Sequence, residues 1–195
     1  MKRIALTLGA VAATSAPALA HFDPVEHGSF TAGFSHPFFG ADHVLAMVAV
    51  GLWASMLGGR AILTVPVAFV ACMAAGFAAS LMALPLPLVE PVILASVIGF
   101  GLLAMVSLRV PAAAAAAMVG FFAFFHGHAH GSELGAAGAL TFGLGFAAST
   151  VLLHAAGIGL GIALGKAGRA SSGNILARLL GAATALGGAW LAVGA

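Results

Sequence analysis

Two short stretches of this chain concentrate residues that can bind metal. The first is His36-Pro-Phe-Phe-Gly-Ala-Asp42-His43, followed by Met47. If a helix opens at Pro37, His36 sits at its cap and His43 lies two turns on, on nearly the same face. Met47 is then one turn below His43, and Asp42 projects about 100° away. Imidazoles with a carboxylate form a borderline donor set, suited to divalent Ni, Co, Zn or Cu. The ordinary alternative is a helix cap with hydrogen-bonded histidines. The second stretch is Phe125-His126-Gly127-His128-Ala129-His130-Gly131-Ser132-Glu133. As a helix it places His126, His130 and Glu133 on one face at i, i+4 and i+7. As an extended segment it groups His126, His128 and His130 instead. Gly127 and Gly131 permit either form, and a hydrated loop with tolerated histidines is the plain alternative. His154 stands alone further on. A lone histidine in a helix is ordinarily a hydrogen-bonded contact; functionally it would be a lower station on a path through the protein. Glu90, beside Pro91, reads as a solvated loop acid, and Asp23, Glu26 and His27 as a weak collecting site.

These polar groups sit in a chain that otherwise avoids polarity. Apolar types make up 62% of its 195 residues and charged types 6%, against about a quarter charged in an ordinary soluble domain. Mean hydropathy is +1.15. Stretches of 18 or more nearly uncharged residues recur, each long enough to cross a ~30 Å hydrocarbon core. The composition therefore predicts an all-α, polytopic membrane helix bundle in contact with the lipid bilayer, and excludes soluble, fibrous and nucleic-acid-binding classes. A net charge of +2 is no nucleic-acid footprint. Ionisable groups inside such a bundle are costly and mark candidate sites. The single Cys72 excludes an intrachain disulfide and a multi-cysteine metal site. Nothing in the sequence sets an oligomeric state.

Met1-Lys2-Arg3, the apolar run to Ala13 and Ala18-Leu19-Ala20 follow the pattern of a secretory signal peptide over residues 1–20; a retained first helix is the alternative. Cleavage after Ala20 would leave His21 as the mature N-terminus, where its amine and imidazole form a weak chelate. Residues 21–35 then read as a polar lead-in to the spans, within one transmembrane domain, 21–195. Six spans are expected, at about 38–57, 61–84, 92–108, 112–125 (with an extension into the histidine run), 134–164 and 179–193. Every Lys or Arg beyond the signal, namely Arg60, Arg109, Lys166, Arg169 and Arg178, falls in the loops after spans one, three and five. Cytoplasmic loops carry the basic excess. Six helices with both termini periplasmic, in a bacterial inner membrane, satisfy both signal and charge. The 27 glycines, including Gly157-x-x-x-Gly161, read as helix-packing positions.

With both histidine motifs in view, the sequence resembles the HupE/UreJ family of nickel and cobalt permeases. That family shows an HxxxxxDH motif in its first mature helix and FHGxAHGxE near the fourth, and both are complete here. The resemblance implies that His36, Asp42, His43, His126, His130 and Glu133 bind the metal, with His128 at the family's variable position and His154 outside both motifs. It further implies a secondary transporter carrying Ni²⁺, and Co²⁺, from periplasm to cytoplasm for hydrogenase or urease maturation. On that resemblance the ion is expected to be a transported substrate, with no permanently bound cofactor and no enzyme activity. Ligand type alone does not select Ni²⁺, since Cu²⁺ binds most tightly at almost any nitrogen–oxygen site. Three other classes remain open: a membrane metal-binding or chaperone subunit that does not transport, a metal-dependent membrane enzyme, and a b-haem carrier. HExxH is absent, and matched histidines deep in two spans, which haem needs, are not evident.

Overall fold

The computed structural model describes residues 29–134, 138–167 and 170–194, with the side chains of 132–134, 167 and 170–174 outside that description. The expected signal segment, His21 and His27 lie outside the described residues. Among those described, all regular structure is helical: α1 Phe30–Phe39, α2 Ala41–Leu57, α3 Ala61–Leu81, α4 Val89–Val106, α5 Ala112–Leu134, α6 Ala139–Ala167 and α7 Ala170–Gly194. Helices α3 to α7 each hold a stretch long and apolar enough to cross a bilayer. The α1–α2 pair supplies a sixth when counted as one bent unit.

That bend corrects the expected first span. Helix α1 starts at Phe30, not Pro37, because the Ser29 hydroxyl caps it by accepting from the Ala32 amide at 3.0 Å. Residues 30–35 are therefore helix and not a polar lead-in. Pro37 lies inside α1, buried, where its missing N–H and its ring weaken the last turn. Gly40 then adopts an extended conformation (φ −94°, ψ 114°), and α2 leaves at 85° to α1. A Cβ on Gly40 would crowd His43 Nδ1 and Asp42 Oδ1, so both side chains fold back over the break. Most other boundaries shift by a few residues, but α7 opens at Ala170 and not near 179, so that Arg178 lies in a helix and not in a loop. Helix α5 runs on through the histidine motif, which settles that segment as helix. Glu90 falls in the first turn of α4 instead of a loop, exposed at the end where a helix favours an anion.

Helices meet closely where glycines face backbone. A Cβ on Gly76 of α3 would collide with the Phe124 carbonyl of α5, and one on Gly127 of α5 with the Met73 carbonyl of α3. Gly51 of α2 and Gly157 of α6 pair in the same reciprocal way, against the His154 and Val48 carbonyls. Small residues permit this approach in a membrane, where dispersion and not water exclusion joins helices. The core between them holds Met47, Trp53, Phe69, Phe100 and Phe146. At the α2–α3 turn, Gly58 and Gly59 take φ of 72° and 52°, conformations that favour glycine. Arg60, Arg109, Lys166 and Arg178 all lie at the end of the bundle that holds this turn. His43 and His130 lie at the other.

Replacing Gly76 with Ala is expected to lower stability by roughly 1–3 kcal/mol, since rigid backbone must move. Gly159, whose Cβ position meets nothing within 4 Å, should accept Ala within about 0.5 kcal/mol. Thermal unfolding of the two variants in detergent checks the contrast.

Candidate metal centre

Three helices bring three imidazoles together. His36 comes from the last turn of α1, His43 from the first turn of α2 and His130 from the far end of α5. Each offers a ring nitrogen, and these atoms lie within 4.8 Å of one another. Ring centroids are 4.5 Å apart for His36–His130, 4.7 Å for His43–His130 and 5.8 Å for His36–His43. His43 and His130 are buried, and His36 is half-buried. The break at Gly40 is what lets residues 36 and 43 face one point from two helices.

The protons are directed by the surroundings. Asp42 Oδ1 lies 3.0 Å from His43 Nδ1. The contact is an ion-pair approach and not an aligned hydrogen bond, but the carboxylate's charge favours the proton on Nδ1 and leaves Nε2 as the lone-pair donor, as an outer carboxylate does beside a metal-bound histidine. That Nε2 faces His130 Nε2 at 2.5 Å. Two imidazole nitrogens this close need a proton or a cation between them. Asp42 therefore orients His43 from beside the cluster. His126 sits one turn deeper on α5, with its ring 5.7 Å from that of His43. Its Nδ1 donates to the Phe122 carbonyl at 3.0 Å, leaving Nε2 buried and without a partner.

The remaining expected residues separate. His128 faces away from the cluster and its Nε2 donates to the Leu84 carbonyl at 2.8 Å, tying α5 to the α3–α4 loop. Met47 is fully buried in the apolar core. His154 is buried in mid-α6, against the Phe69 ring. Glu133 follows on α5, its side chain outside the description. Two residues that the motifs do not include wall the cluster. Phe146 of α6 has its ring 4.7 Å from that of His130 and 6.2 Å from those of His36 and His43, while Phe142 touches His36. Their signal in the sequence is the four-residue spacing of Phe142, Phe146, Thr150 and His154, a single stripe along one helix. Three convergent imidazoles beside one carboxylate, lined by phenyl rings, suit a partly dehydrated divalent transition metal.

Fold and site together define a multi-pass helical membrane protein with a buried histidine cluster near one end. A family model described as "HupE / UreJ protein" matches residues 9–191. Protein HupE of Rhizobium leguminosarum bv. viciae is 46% identical over 187 residues, which cover 94% of this chain and 95% of that protein. The chain belongs to the HupE/UreJ family. No solved structure matches it.

Asp42→Asn should weaken Co²⁺ or Ni²⁺ binding to the purified protein by roughly 10- to 100-fold, as loss of an outer carboxylate partner does. His128→Ala should leave that affinity unchanged and cost about 1 kcal/mol of stability through the lost bond to Leu84. Titration calorimetry and thermal unfolding separate the two effects.

Proposed function

We propose that this protein is a secondary permease that carries Ni²⁺, with Co²⁺ as a second substrate, from periplasm to cytoplasm. The observation that carries this reading is the meeting of His36, His43 and His130, from two motifs far apart in sequence, within 4.8 Å. Their place at the end opposite the described basic residues supports the direction. The positive-inside rule puts the arginine end in the cytoplasm and hence the histidines toward the periplasm. Membership of the HupE/UreJ family supports the metal and its use in hydrogenase or urease maturation.

In this mechanism the ion loses part of its hydration shell to His36, His43 and His130. Asp42 balances charge and holds His43 in its donor form. Glu133, one turn beyond His130 on α5, is the second carboxylate of the set, and His126 is the next donor inward. A rearrangement of the bundle then opens the inner side. The membrane potential drives a divalent cation inward. A membrane subunit that binds metal without moving it would share the same ligands, so transport itself is the deciding property.

Cells expressing the full chain should accumulate ⁶³Ni²⁺, and His130→Ala and Asp42→Ala at matched membrane abundance should fall to the empty-vector level. Binding by the purified protein without uptake in cells would establish the non-transporting reading. Uptake should also weaken as the medium falls below about pH 6, because protonated imidazole cannot ligate. A rise in uptake on acidification would instead point to proton coupling.

A further inference from the structure

Beneath the three-histidine cluster lies a second set of donors. His126 and His154 are 0% and 1% exposed. His126 Nε2 and both ring nitrogens of His154 have no hydrogen-bond partner. A buried polar atom without a partner is costly and calls for a reason. An ordinary helix contact, the plain expectation for His154, would have given its ring a carbonyl or hydroxyl, and none is in place. Both imidazoles touch one phenyl ring, that of Phe69, at centroid distances of 5.6 Å and 4.8 Å. The layer between cluster and His154, otherwise apolar, holds a hydroxyl. Thr150 Oγ1, one turn from His154, reaches Met73 Sδ at 3.7 Å while bonded to the Phe146 carbonyl.

The donors descend in steps of one helical turn. On α5, His130 in the cluster is followed inward by His126. On α6, Phe146 beside the cluster is followed by Thr150 and then His154. Eight residues separate Phe146 from His154, about 12 Å at 1.5 Å per residue. An imidazole at that depth stands toward the middle of a ~30 Å core. There, ligand nitrogens substitute for water that the surroundings do not supply.

We infer that His126 and His154 form an inner metal station, which takes a divalent transition-metal ion from the outer three-histidine site on its way through the bundle. As a step in transport this rests on the permease reading; as a binding site it can be tested alone. The station is weaker than the outer one, since it offers two imidazoles and no described carboxylate beside them. An ion held there can therefore leave again.

The test uses the full chain purified in detergent, titrated with Co²⁺, in a Cys72→Ala background that removes the only thiol. Two equivalents should bind, the second more weakly, and His154→Gln should keep the first and lose the second. In cells, His154→Gln should cut the ⁶³Ni²⁺ uptake rate at least tenfold. His154→Cys supplies a positive signature: a thiolate-to-cobalt charge-transfer band should appear only as the second equivalent binds. This variant decides the matter if His154→Gln does not fold. Saturation at one equivalent with no such band, or unaltered uptake by His154→Gln, overturns the inner station. Uptake by the wild type under those same conditions leaves the permease reading standing. Conversely, a second equivalent with its band in a chain that moves no ⁶³Ni²⁺ supports the site and removes transport.

Discussion

Where Gly127 of α5 faces Met73 of α3, no side chain separates the two backbones, and Gly51 of α2 meets the His154 carbonyl of α6 in the same way. Lipid tails are as apolar as leucine, so helices in a bilayer gain little by hiding apolar surface from one another. They gain from close atomic contact, which is individually small and falls away quickly with distance. A glycine against a carbonyl fixes depth as well as separation, because a slide of one residue would bring a larger side chain onto the backbone. The histidines inherit this register. Gly127 lies between His126 and His128, and Gly51 two turns below His43, so the contacts that join α5 to α3 and α2 to α6 also set the height of the imidazoles.

Much of this was legible in the residues. Hydropathy locates α3 to α6 closely but misses the early starts of α1 at Phe30 and α7 at Ala170, and the distribution of Arg60, Arg109, Lys166 and Arg178 predicts a common end for them, as found. The four-residue spacing of His126 and His130 predicts their shared face once the segment is helical. The break at Gly40 was not legible, since a proline after a histidine reads equally well as the opening of a helix. What decides it is the Ser29 cap and the packing of α1 on α6, where Gly33 lies against the backbone of Phe142. Phe142 and Phe146 escaped notice because phenylalanine in an apolar helix carries no chemical signal. The His128–Leu84 bond depends on a loop path that spacing alone does not give.

The cluster's chemistry follows from where its charge sits. Three imidazoles approach one point among phenyl rings, and the only carboxylate with a described contact, Asp42, stands to one side, on His43. Among the described side chains, the site is shaped for a cation and has a single carboxylate at its side. A deep acidic cage would hold a divalent ion far more firmly in so apolar a setting, where Coulomb attraction is weakly screened. Moderate attraction is compatible with release, which a carrier needs and a storage site does not.

The bond from His128 to the Leu84 carbonyl reaches beyond the bundle. It pins the loop between α3 and α4, whose Met82, Leu84 and Leu88 are exposed. Pro85 and Pro87 in that loop carry no amide hydrogen, which lessens the hydration a loop requires at low water activity. A segment so composed can rest at the boundary between headgroups and acyl chains. Its anchor is two residues from His130, so a displacement of the loop would reach the same turn of helix that presents an imidazole to the cluster.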